Sequence, residues 1–145
     1  MQFIALLLIG IELGVSYSHL MQLPGKAQLS LAMFIAVQNV LIKYKIGVVI
    51  VDIGSFLAML AIIWLLRIQT LRFRLTLVAL LMLVTAFIVW GIFIEPINTA
   101  IARTVDSFPD DWTLLRQRWH LFHIVRLVLL TIGTSSLISS VLVRV

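Results

Sequence analysis

Residues 75–94 read LTLVALLMLVTAFIVWGIFI, an unbroken run with no charged side chain. A helix of about 20 residues rises about 30 Å, the thickness of a bilayer's hydrocarbon core, so this stretch is long enough to cross a membrane. Working outward, similar runs lie on both sides. Residues 46–66 close at Arg67, residues 3–21 end at a Leu23-Pro24-Gly25-Lys26 break, and residues 121–142 precede Arg144. Lipid offers no partner to a free backbone amide, so each run must be helical. The expected fold is all-α: a multi-pass integral membrane four-helix bundle, one domain over residues 1–145.

The composition agrees. The 145 residues are 62% hydrophobic and 12% charged, with a mean hydropathy of +1.16, far outside the range of soluble domains. A signal peptide competes for the first run, but Gln2 is no basic leader and no clear small-x-small cleavage site follows. The net charge of +5 could point to nucleic acid. The basic residues are instead dispersed around apolar runs with no recognition motif, so the implied partner is the lipid bilayer and not nucleic acid. Cysteine is absent, which excludes disulfides, thiolate metal sites and thiol redox chemistry.

Connections between the runs carry the topology. Residues 67–74 read as a short basic turn, and the third run is expected to stop at Glu95-Pro96. The two longer connections fall on one side of the membrane, since two spans separate them. Residues 28–45 hold helix formers and no strong breaker, which predicts an interfacial helix between spans one and two. Residues 99–118 are the one clearly hydrophilic stretch, with Pro109-Asp110-Asp111 marking a turn or a helix start. Lys26, Lys43, Lys45, Arg103, Arg116 and Arg118 on the long-loop side oppose Arg67, Arg72, Arg74 and Arg144. That modest bias leaves the orientation open.

Threading the chain four times places Glu12, His19, Asp52, Asn98, His120, His123 and Arg126 in one half of the membrane. An ionised group near the bilayer centre costs about 2–3 kcal/mol at least, and is tolerated where it faces the bundle interior and finds partners. Glu12 lies about 10 Å deeper than His19 on the same helix face, with Ser16 between them. The arrangement implies a shared polar pocket. Each member also has a plainer reading: a protonated buried carboxyl for Glu12, headgroup-level positions for His19 and His120, and an outward-reaching Arg126. Trp90, Trp112 and Trp119 fit an aromatic belt. The Gly10–Gly14 pair and Ser135, Ser136, Ser139 and Ser140 fit close helix packing.

Several chemistries are open to such a set. His19, His120 and His123 are candidate ligands for a metal, and two of them could hold a haem axially, although no His-x-x-x-His or Glu-x-x-His spacing makes either specific. The third option needs no cofactor: a histidine removes a proton from an acidic organic substrate while Arg and Asn stabilise the anion.

The stretch Glu95-Pro96-Ile97-Asn98, then Asp111-Trp112, Arg116, Trp119-His120, His123 and Arg126, carries a more specific signal. With Ser18-His19, Pro24-Gly25-Lys26 and Val37-Gln38 upstream, it resembles the small four-helix membrane proteins that include the fungal anthrone oxygenases. Those enzymes insert oxygen into an activated polycyclic carbon without a conventional cofactor. The resemblance implies an enzyme acting on a small lipophilic aromatic or quinol-like molecule. His123 or His19 would be the base, Arg126 and Asn98 would stabilise the anion, and Trp112 and Trp119 would flank the ring. Arg116 would join the substrate-binding set, with Glu12 and Asp52 orienting the bases or balancing Arg126. Asp52 stands where a Glu is commoner in that family, a mild change, and His120 stands where an acidic residue is often found. The rival expectations are a non-catalytic accessory subunit of a larger membrane complex, a homo-oligomer, and a proton-coupled transporter or carrier using Glu12.

Overall fold

The structure, a computed structural model, describes residues 1–68, 70–103 and 111–143. Its elements are α1 (Gln2–Gln28), α2 (Leu31–Ile42), α3 (Lys45–Leu66), α4 (Thr70–Val89), a π-helical turn (Trp90–Ile94), α5 (Glu95–Arg103) and α6 (Trp112–Leu142). Four helical segments are long and apolar enough to cross a membrane: α1, α3, the run from Leu71 to Arg103, and α6. α1 packs on α3 and α6, and α4 packs on the same two helices, so the four close a ring. α2 lies between spans one and two, as expected, and rests on α5.

The buried positions repeat at alternating steps of three and four: Ala5, Ile9, Glu12 and Ser16 on α1, and Trp119, His123, Arg126, Leu130, Gly133, Leu137 and Ser140 on α6. That is the spacing of a seam between helices wound left-handedly about each other. The outward positions are large and apolar, among them Phe3, Leu7, Ile50, Leu57 and Trp64, while Glu12, Asp52, Ser55, Thr76, His123 and Arg126 are buried. Apolar outside and polar inside is the distribution lipid demands.

Four boundaries differ from the sequence expectation. α1 does not end at Leu23-Pro24 but continues to Gln28 with Pro24 inside it. A proline this near a helix end removes one backbone bond, and Lys26, whose Nζ donates to Gln38 Oε1 at 2.9 Å, holds the last turn against α2. The third span likewise passes through Glu95-Pro96. In the π-helical turn before it the Glu95 N–H donates to Trp90 O, five residues back. The wider turn takes the carbonyl four residues before the proline out of its way. Arg72 and Arg74 belong to α4 and not to a turn. α6 begins at Trp112, ahead of the expected start at residue 121, with Asp111 O accepting from Leu114 N and Leu115 N. That bears out a helix start at Asp111; Pro109 and Asp110, like Arg144, lie outside the described residues.

At the end remote from the polar half, α4 and α6 are stitched together. Arg72 Nε donates to Ser140 O, Ser140 Oγ meets Thr76 Oγ1 at 2.8 Å, and Ser136 Oγ donates to Leu75 O. The small residue that permits this close approach is Gly133, where a Cβ would stand 3.2 Å from Met82 Cβ and 3.4 Å from Ala79 O. The expectation for Gly10 and Gly14 does not hold, since a Cβ at either would meet nothing within 4 Å. The buried stripe through Ile9, Glu12 and Ser16 turns both glycines outward. Gly133→Leu should therefore cost about 1–3 kcal/mol by overpacking, while Gly14→Leu leaves stability unchanged or raised. Denaturation in a mild detergent checks this; equal effects at the two sites would contradict a tight α4–α6 seam.

Candidate functional site

Two tiers of polar side chains fill the half of the bundle nearest α2. The deeper one is ionic. Arg126 Nη2, from α6, lies 2.9 Å from Asp52 Oδ1 and 3.3 Å from Oδ2 on α3, and 4.0 Å from Glu12 Oε2 on α1. Ser55 Oγ donates to Glu12 Oε1 at 2.5 Å. None of these four residues is more than 5% exposed. Asp52 and Ser55 are three apart on α3 and so share a face. Of the two expected alternatives for pairing Arg126, Asp52 makes the hydrogen bonds and Glu12 stands at ion-pair range.

The second tier is aromatic and sits nearer the interface. The His19 and His123 rings are 4.2 Å apart, and Trp119 lies 4.1 Å from His123 and edge-on to His19 at 5.4 Å. Trp119 is fixed from behind: its Nε1 donates to Asn98 Oδ1 at 2.8 Å. Asn98 in turn reaches Glu95, whose Oε1 is 2.5 Å from Lys45 Nζ. A cavity of about 180 Å³ opens in front of this tier. Its wall includes His19, Asn98, Trp119, His123 and Arg126, with Trp90 from the π-helical turn and Gln38 from α2.

Among the described residues, neither ring nitrogen of His123 has a hydrogen-bond partner, and the same holds for His19 Nδ1 and Arg126 Nε. His123 is 5% exposed. A buried polar atom left unpaired costs about 1–3 kcal/mol, and His19, His123 and Arg126 all line the cavity.

The other candidates stand further back. His120 contacts Trp119 and Phe34 but does not line the cavity. Trp112 packs on Phe34 and carries the Arg116 guanidinium over its ring at 4.4 Å; Arg116 also reaches Leu29 O, tying α6 to the end of α1. Glu12 and Asp52 reach the site through Arg126 and make no bond to a histidine.

Several contributors are not among the site residues expected from the sequence. Lys26, 4% exposed, lies over the Trp119 ring at 5.0 Å. It stands at the same seven-residue step that separates Glu12 from His19, and that spacing is the signal that could have found it. Ser55 gave no comparable signal, because a neutral residue in an apolar run has many plain explanations; Gln38 was legible only as part of the Val37-Gln38 resemblance and Trp90 only as a belt residue.

The geometry narrows the chemistry. Among the described residues no three of His, Asp and Glu converge as ligands for one metal ion. His19 and His123 meet ring to ring, whereas two imidazoles on one haem point nitrogen to nitrogen across its iron. The cavity wall brings together imidazole, guanidinium and indole groups.

A membrane-spanning helical bundle with a buried imidazole–guanidinium cavity defines the class. The sequence model of the anthrone oxygenase family matches residues 41–136, more than half of the chain, and the protein belongs to that family. Comparison with curated proteins and with solved structures gave no match. Asp52, Asn98, Trp119, His123 and Arg126 lie within the matched residues, while Glu12, His19 and Lys26 lie before them and owe their place to the geometry.

Removing one partner of a buried ion pair strands the other, at a cost of about 3–5 kcal/mol. Arg126→Met should destabilise the bundle by that order, whereas Arg118→Met, at an exposed position, should have no measurable effect. Parallel melts in detergent decide it; equal melts would mean that the ionic tier does not hold the helices.

Proposed function

We propose that the protein is an anthrone-oxygenase-like membrane enzyme acting on a small lipophilic aromatic substrate, anthrone- or quinol-like, bound in the intramembrane cavity. The observation that carries this is His123: buried on the cavity wall, flanked by His19 and Trp119, with neither ring nitrogen partnered among the described residues.

His123 takes a proton from the activated CH2 or hydroxyl of the substrate, with His19 as the alternative base one ring away. Arg126 on the same wall stabilises the enolate. Asp52 and Glu12 hold the guanidinium in place and temper its charge. Asn98, on the cavity wall, orients Trp119 through the 2.8 Å bond. Trp119 and Trp90 flank the ring, while Trp112 and Arg116 brace that wall through Phe34 and the end of α1. The electron-rich carbon then passes electrons to dioxygen. One oxygen atom enters the substrate and the other leaves as water, so that CH2 and O2 give C=O and H2O.

Purified protein in a mild detergent should consume oxygen in proportion to the anthrone converted. His123→Ala should lower turnover by about 10²–10⁴, the usual contribution of a positioned base, while its melt and elution stay those of the parent. Unchanged turnover in that variant would sink the assignment of His123.

A further inference from the structure

A second cavity, of about 230 Å³, lies between α3 and α4 and is walled by Ile53, Phe56, Leu83, Val84 and Phe87, with Asp52 at its inner end. Ile53, Phe56 and Phe87 are exposed on the lipid-facing surface, so this crevice opens toward the hydrocarbon. Two side-chain pairs join it to the polar cavity. Asp52, on the crevice wall, is bound through its carboxylate to Arg126 on the wall of the polar cavity. The Phe87 ring in the crevice stacks obliquely on Trp90 in the cavity at 5.7 Å. Each pair runs from a residue lining one compartment to a residue lining the other.

Their order along the membrane is the second observation. On α3, Lys45 and Val48 line the polar cavity, and Asp52, Ile53 and Phe56, further from α2, line the crevice. On α4, Leu83, Val84 and Phe87 line the crevice, and Trp90, nearer α2, lines the polar cavity. Polar chamber outward and apolar chamber inward is also how an amphiphile lies in a leaflet, its head at the interface and its hydrocarbon toward the midplane.

We propose that the two cavities form one two-part site, in which the crevice between α3 and α4 receives an apolar extension of the substrate whose acidic ring occupies the polar cavity. This rests on the function proposed above and narrows it. The preferred substrate is a phenol or enol ring with a hydrocarbon arm, reaching the site from the bilayer with its arm against α3 and α4.

The test compares 2-naphthol with a 2-naphthol bearing a hexyl chain on the distal ring, titrated into protein in nanodiscs and corrected for partition into lipid. The chain should tighten binding by about tenfold, equivalent to about 1.4 kcal/mol. Val84→Trp and Ile53→Trp, which fill the crevice from opposite walls, should each bring the two affinities together while 2-naphthol itself binds as before. No gain from the chain in the parent protein, or a gain that survives both substitutions, overturns the proposal. Failure of 2-naphthol to bind the parent protein would instead overturn the functional reading on which it rests.

Discussion

A guanidinium buried in the middle of a lipid-facing bundle needs carboxylates within reach, and the remainder of the structure follows from meeting that need at Arg126. Asp52 answers from α3 across the ring and Glu12 from α1 beside it. These contacts fix the rotation of three helices. A turn of about 100° in any of them, one residue's worth, would expose a charge to hydrocarbon at several kcal/mol. Apolar packing alone would not fix the rotation, because lipid tails compete equally for leucine and isoleucine side chains.

With that tier in place, two turns of α1 and one turn of α6 bring the His19 and His123 rings within 4.2 Å of each other and set Trp119 against them. α2 lies across this aromatic tier, secured by the buried Phe34 and by the Lys26–Gln38 bond. The π-helical turn lets the third span pass Pro96, so that Trp90 and Asn98 arrive on the same wall. Irregular backbone is often found beside functional sites, and here it supplies two residues of the cavity. At the far end, where no chemistry is placed, α4 and α6 are locked through Gly133, Ser136 and Ser140.

Much of this was legible in the residues. The four long apolar runs and the gathering of Glu12, Asp52, Asn98, His123 and Arg126 in one half of the membrane follow from hydropathy and from the cost of burying charge. Helix ends were less legible. Proline is a dependable stop in water, but Pro24 and Pro96 are carried within helices because neighbouring contacts and a π-helical turn absorb the lost bond. The face presented by Gly10 and Gly14 was misread, because a small-residue pair does not say which way it points; the alternating step through Ile9, Glu12 and Ser16 does. The place of Ser55, Gln38 and Trp90 at the site became visible only when the helices were set against one another.

The most direct measurement is the ionisation state of a phenol held in the polar cavity. 2-Naphthol and its anion have distinct absorption and emission bands, so the form bound to the protein in nanodiscs at neutral pH can be read from the spectrum. A cavity that places the free nitrogens of His123 beside Arg126 should hold the anion, and the anion band should vanish with His123→Ala. A bound naphthol that stays protonated in the parent protein would contradict a site built to take a proton and stabilise the charge left behind.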